Sequence, residues 1–324
     1  MMKIGFLYAG QGSQYVGMGK EFYDEFDSYQ SLINNAPTSF NLAQASFEGS
    51  EENLSQTHIA QPAMIAMEAG ITQILAEKDI VPFAATGLSL GEYGALIASG
   101  TLKANKAICI CEQRGHAMTR ASENIDSAMF AIIGLDPEAI EELCNEESAA
   151  ASAENPNELV AIANLNCPGQ TVISGTRCAT CAVAKRVQET GKRAIELNVS
   201  GPFHTAIMKP AGDELAKIFA SESFKRPKIP VAFNTTGEML TTQQDIAKLL
   251  EAQVQSTVKF ESCLRAMIEA GVEVFFEIGP GNVLAGFMKR IDRKIPVYPI
   301  STPEEMHAAI NAINALSAKS AISE

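Results

Sequence analysis

Residues 85–100 read "ATGLSLGEYGALIASG". Within them Gly87, Ser89 and Gly91 form the pattern G-x-S-x-G. The preceding "DIVPFAATG" is an apolar run suited to a buried strand, and "GEYGALIASGTL" carries a helical pattern. A strand, a glycine-flanked serine and a helix together are the setting in which a serine is held exposed on a sharp, strained turn. Glycine suits both flanks, because the turn is strained and the helix packs close to the strand. A serine that opens a helix also meets free N–H groups, which favour a developing anion. The plain alternative is a helix N-cap serine, worth about 1 kcal/mol. The strand on one side and the helix on the other favour the nucleophile.

The surrounding chain repeats this alternation. "KIGFLYAGQGSQYVGMGKEFYDEF" reads strand, glycine loop, helix, and "VEVFFEIGPGNVLAGFMKRI" reads the same way. "HIAQPAMIAMEAGITQILAEK" reads as an amphipathic helix. Strands alternating with helices predict an α/β fold with a mainly parallel sheet. Neither glycine loop binds a nucleotide phosphate by a known fingerprint. Tyr15 stands where G-x-G-x-x-G needs glycine, Met18 where a Walker loop needs lysine, and Leu284 where the later loop needs its third glycine.

The pattern changes near residue 125. "SAMFAIIGLDPEAIEELCNE" reads strand, turn, helix, and "LVAIANLNCPGQTVISG" reads as two short strands joined at Pro168-Gly169. A helix and the strand "KRAIELNV" follow. The order β-α-β-β-α-β is the ferredoxin-like split motif. It predicts a small domain over 126–197 inserted into a large one formed by 1–125 and 198–324.

Composition narrows the function. The 324 residues are 46% hydrophobic and 19% charged, enough for a sizeable core. A net charge of -13 argues against nucleic acid as a partner. An acidic protein partner would need a local basic patch. "MMKIGFLYAGQG" reaches glycine after a short apolar run and reads as a first strand, not a secretory leader. No apolar run is long enough for a membrane span. The seven cysteines are odd in number and scattered, which points to free thiols in a reducing cytoplasm. Cys178 and Cys181 form one C-x-x-C in a helical stretch, with no second pair to complete a zinc site.

A nucleophilic serine needs a base, and the chain has four histidines. His58 precedes a helical stretch and His116 and His307 lie in helical stretches, while His204 lies in the glycine-proline loop "NVSGPFHTAIMKPAG" after a strand. A loop beside a sheet can carry a catalytic imidazole, although a lone loop histidine more often faces solvent.

Seven stretches settle the comparison. "GQGSQ", "GLSLGEY", "QRGHAM", "AMFAIIGLD", "NCPGQTVISG", "SGPFHTAIMKPA" and "EIGPGNVLAG" resemble, in order and spacing, the malonyl-CoA:acyl-carrier-protein transacylases, acyltransferases of fatty-acid synthesis. The resemblance spans nearly the whole chain. It implies a large hydrolase-like α/β domain with an inserted ferredoxin-like domain. It also implies Ser89 as nucleophile and His204 as base. The histidine would be oriented by a main-chain carbonyl near Gln253, not by an aspartate. The backbone N–H groups of Leu90 and Gln11 would form the oxyanion hole. Arg114 would grip the malonyl carboxylate, as a guanidinium can through two parallel hydrogen bonds. Phe203 would crowd an α-methyl group. Lys192 and Arg193 would help dock the acidic carrier.

Two departures stand out. Leu88 replaces a histidine common before the nucleophile, and Thr257 replaces a proline common after Gln253. The expected chemistry is ping-pong transfer of malonyl from malonyl-CoA to acyl carrier protein by a monomer, without metal or bound cofactor. A free-standing acyltransferase serving a polyketide synthase would use the same residues. A serine esterase, which Arg114 argues against, and a non-catalytic interaction module are the other readings.

Overall fold

The computed structural model describes residues 2–199 and 201–322. Among them the strands in chain order are β1 (Ile4–Tyr8), β2 (Ala84–Gly87), β3 (Ser127–Ile133), β4 (Val160–Cys167), β5 (Gln170–Thr176), β6 (Arg193–Glu196), β7 (Ala232–Phe233), β8 (Glu238–Met239), β9 (Val274–Ile278) and β10 (Val297–Ile300). The chain divides into two compact units. One comprises Met1–Glu112, Phe224–Ala232 and Leu264–Glu324; the other comprises Gln113–Ser223 and Phe233–Cys263.

The first unit is built on a parallel sheet in the order β10-β9-β1-β2. β1 and β9 are buried at every position, as expected when both faces of a parallel sheet are covered. Tyr8 at the end of β1 is level with Gly87 at the end of β2, so the chain leaves both strands at the same edge. Ala85 extends the sheet by one parallel bridge to Val231.

The helix Thr57–Glu77 lies in this unit, and here the structure corrects the sequence reading. Every residue from Ile59 to Ile71 is buried, so the helix is not amphipathic but a core helix. Its alanines and methionines suit burial on all sides. Glu68 is tolerated there because burial pushes its carboxyl well above the usual range, toward the neutral form.

The second unit holds an antiparallel sheet in the order β4-β5-β3-β6. With the helices Pro137–Glu154 and Arg177–Glu189 between its strands, it forms the expected ferredoxin-like motif. Phe130, Ile132, Val160 and Ile173 pack on one face against Ile140, Val183 and Val187 of those helices. All seven cysteines are free, and Cys178 and Cys181 sit on the helix Arg177–Glu189.

The sheet spans residues 127–196, inside the expected small domain, but the compact unit around it is larger than 126–197. Residues 113–125, 201–223 and 233–263 join the sheet or one another through long-range bonds. Val258 N–H donates to the Ala163 carbonyl at 2.8 Å, Leu165 N–H donates to the Val258 carbonyl at 2.9 Å, and Arg120 pairs with Glu214. Such contacts leave no mark on local composition, so the change of pattern marks the limits of the sheet and not of the unit. Among the described residues, no helix is long and apolar enough to cross a membrane, and no three metal-ligating side chains cluster.

Candidate active site

In the first unit β2 ends at Gly87, and Ser89–Gly91 make a tight 3-10 turn into the helix Glu92–Ala98. Ser89 has φ 52°, in the left-handed region that side chains beyond glycine rarely adopt. Such strain costs about 1–3 kcal/mol and persists only where the surroundings impose it. The backbone imposes it here. A Cβ on Gly87 would lie 2.0 Å from the carbonyl carbon of Gly91, and one on Gly91 would lie 2.3 Å from the Tyr8 carbonyl oxygen. The capping alternative does not describe this turn, because Gly91 is the N-cap of the following helix. Ser89 is half-buried and Leu90, the next residue, is fully buried.

Leu88 N–H donates to the Tyr8 carbonyl at 3.0 Å, which keeps the exit of β1 beside this turn. The chain runs from there to Gln11. The Gln11 side chain donates to Thr57 Oγ1 at 3.2 Å and accepts from Gln61 Nε2 at 3.0 Å. Thr57 and Gln61 were not singled out from the sequence. Their signal was present: they are polar residues at the start of a helix whose next stretch, Pro62–Met67, is wholly apolar and buried.

His204, Gln253 and Arg114 come together in the second unit. His204 is 5% exposed with φ 63°, and its backbone N–H donates to the Val254 carbonyl at 3.1 Å. Its Nδ1 lies 2.8 Å from the Gln253 carbonyl oxygen. A carbonyl only accepts, so Nδ1 carries the proton and Nε2 keeps its lone pair. Burial, and then the positive charge of Arg114, lower the His204 pKa to about 4, partly opposed by the Gln253 and Ser256 backbone bonds. The imidazole is therefore neutral at pH 7 and able to accept a proton.

Arg114 lies on the helix Ala104–Ser122 and is 1% exposed. Its Nη2 donates to Gln253 Oε1 at 3.1 Å, and Gln253 Nε2 donates to Asn234 Oδ1 at 3.5 Å. Phe203, beside His204, is also buried. Thr257 donates its hydroxyl to the Ile162 carbonyl at 2.7 Å, tying the segment after Gln253 to β4 without a proline. The other histidines differ: His58 and His116 are half-buried on helices, and His307 is exposed. Lys192 and Arg193 are exposed, with Arg193 opening the edge strand β6.

The family model for the acyl transferase domain matches residues 5–301. Over 316 residues the chain is 38% identical to a malonyl CoA-acyl carrier protein transacylase of Bacillus subtilis (strain 168), covering 97% of this chain and 98% of that one. The crystal structure of a malonyl CoA-acyl carrier protein transacylase from Clostridium perfringens superposes with a TM-score of 0.91 at 34% identity, over 98% of this chain and 99% of that one. A malonyl-transacylase solved in complex with its holo type II PKS acyl-carrier protein superposes with a TM-score of 0.90 at 32% identity, over 96% and 99% of the two chains.

Proposed function

The chain belongs to the malonyl CoA-acyl carrier protein transacylase family of acyltransferases, and from that premise we propose that it carries malonyl from coenzyme A to a carrier-protein thiol by way of Ser89. The enzyme is an acyltransferase, and its family role fits fatty-acid synthesis.

In the first half-reaction Ser89 Oγ attacks the thioester carbonyl of malonyl-CoA while His204 Nε2 takes the hydroxyl proton. The backbone N–H groups of Leu90 and Gln11 hold the oxyanion. The tetrahedral adduct collapses, the C–S bond breaks, and the coenzyme A sulfur leaves with the proton from His204. In the second half-reaction the phosphopantetheine thiol gives its proton to His204 and attacks the malonyl-serine. Collapse returns the proton to Ser89 and releases malonyl-carrier. Arg114 receives the malonyl carboxylate, Phe203 crowds a larger acyl unit, and Gln253 orients the base through its carbonyl. No step uses a metal or a bound cofactor, and one chain supplies every group, so we take the working form to be a monomer.

The observation that carries this reading is the state of His204. It is buried, neutral, protonated on Nδ1 by its bond to the Gln253 carbonyl, and joined through Gln253 to an arginine. A simple esterase has no use for that buried arginine. The solved complex with a type II PKS acyl-carrier protein keeps a polyketide carrier as the second reading. The test is transfer of labelled malonyl from malonyl-CoA to purified holo carrier proteins of both kinds. The reading expects malonyl on the holo fatty-acid carrier and none on the apo form. Faster loading of the polyketide carrier would move the assignment there, and hydrolysis without transfer would mark an esterase.

A further inference from the structure

We propose that Gln253 links the carboxylate-reading arginine to the base, so that a carboxylate seated on Arg114 makes His204 a stronger proton acceptor. Selection for a charged acyl group then acts on the acylation step as well as on binding. The inference rests on the roles given above to Ser89, His204 and Arg114.

The geometry is that of one residue with two bonds. The Gln253 main-chain carbonyl meets His204 Nδ1 at 2.8 Å, and its side-chain Oε1 accepts from Arg114 Nη2 at 3.1 Å. His204, Arg114 and Gln253 are all buried. Val254, the next residue, accepts the backbone N–H of His204 at 3.1 Å, so the end of the helix Ile246–Gln253 anchors the base twice. The guanidinium and the imidazole are thereby held in a fixed relation, away from the solvent that would screen them.

The charges that act on the base follow from this. Arg114, from the helix Ala104–Ser122, opposes an imidazolium, while the backbone bonds of Gln253 and Ser256 favour it. Acylation requires that imidazolium, because His204 takes the Ser89 proton. A carboxylate paired with Arg114 offsets the guanidinium charge and removes part of the opposition, while the burial stays. An acetyl group brings no such charge. It therefore meets a weaker base even where it is bound in the same place.

The experiment uses the Ser89→Ala protein, which binds substrate without turnover. Its histidines are labelled with 13C at Cε1 and the His204 signal is followed by NMR against pH. The His204→Gln variant identifies that signal. With saturating malonyl-CoA the midpoint is expected to rise by about one pH unit relative to the free protein. With acetyl-CoA it is expected to stay. Equal midpoints with the two ligands overturn the inference. A second readout avoids low pH: the acid limb of single-turnover acylation in the wild type should lie at higher pH for saturating malonyl-CoA than for saturating acetyl-CoA. Coincident limbs also overturn it. Gln253→Ala keeps the carbonyl and removes the side-chain bond, and should lose part of the malonyl-dependent rise. A full rise in that variant removes Gln253 from the link. Failure of malonyl-CoA to acylate Ser89 would defeat the proposed function itself. Acylation with an unmoved His204 midpoint would defeat this inference alone.

Discussion

Ser89 and His204 are both held in the left-handed region, at φ 52° and 63°, but the two units hold them by different means. Around Ser89 the backbone does it. Two glycines allow the strand, tight turn and helix of residues 84–98 to approach one another, and the end of β1 at Tyr8, more closely than any Cβ permits. Around His204 polar bonds do it, from residues distant in sequence: Gln253 and Val254 from one helix end, with Arg114 behind Gln253. The first arrangement is steric and centres on one contiguous segment packed against the end of β1. The second is long-range and electrostatic. Damage to the first should therefore appear chiefly as lost stability, and damage to the second as lost rate and selectivity.

The largest effect is expected at the proposed base, His204. His204→Ala should slow acylation by about 10²–10⁴-fold, since that is what a positioned proton acceptor typically contributes. Single-turnover mass spectrometry measures it, with circular dichroism to check that the fold is retained. A rate close to wild type would move the base to His116 or His58.

Arg114→Ala should cost selectivity more than chemistry. A buried malonyl carboxylate left unpaired loses roughly 3–5 kcal/mol, on the order of 10²- to 4 × 10³-fold, whereas acetyl loses nothing comparable. The measurement is the ratio of kcat/KM for malonyl-CoA to that for acetyl-CoA. An unchanged ratio would mean that Arg114 does not read the carboxylate.

In the first unit the effect is on folding. Gly91→Ala would set a Cβ 2.3 Å from the Tyr8 carbonyl oxygen, so backbone must move. Forcing such an overlap costs about 1–3 kcal/mol. Urea denaturation should show a lower midpoint, and an unchanged midpoint would separate the turn from its close packing.

The smallest effect lies on the surface. Reversing Lys192 and Arg193 to Glu should raise KM for the acidic carrier a few fold and leave loading from malonyl-CoA intact. Added salt should weaken the wild-type carrier interaction, because screening shortens the reach of these charges to about 8 Å at 0.15 M. An unchanged carrier KM would move the docking patch to Lys209 or to the Lys289-Arg290 pair.

The same contrast explains what could be read in advance. The Ser89 turn was legible because its signature is local: two glycines, an apolar strand and a helix, contiguous in the chain. The ferredoxin-like order was legible for the same reason, since its strands and helices follow one another. His204 by itself was one loop histidine among four. Its link to Gln253 and Arg114 became an expectation only through the family resemblance, because no local pattern encodes a bond across 49 or 139 residues. The bonds that hold Gln11 to Thr57 and Gln61 went unread for that reason too. The helix Thr57–Glu77 misled in another way: its sequence reads as amphipathic, whereas even its polar Gln61 and Glu68 are buried.

The central claim is a malonyl-serine at residue 89, and intact-mass spectrometry tests it most directly. The protein is mixed with malonyl-CoA in the absence of carrier, quenched in acid, weighed, and digested to locate the adduct. The account predicts one malonyl group on the peptide containing Ser89, lost on addition of holo carrier and absent from Ser89→Ala. An adduct of equal size on the alanine protein, or a malonyl group on any other residue, would contradict it.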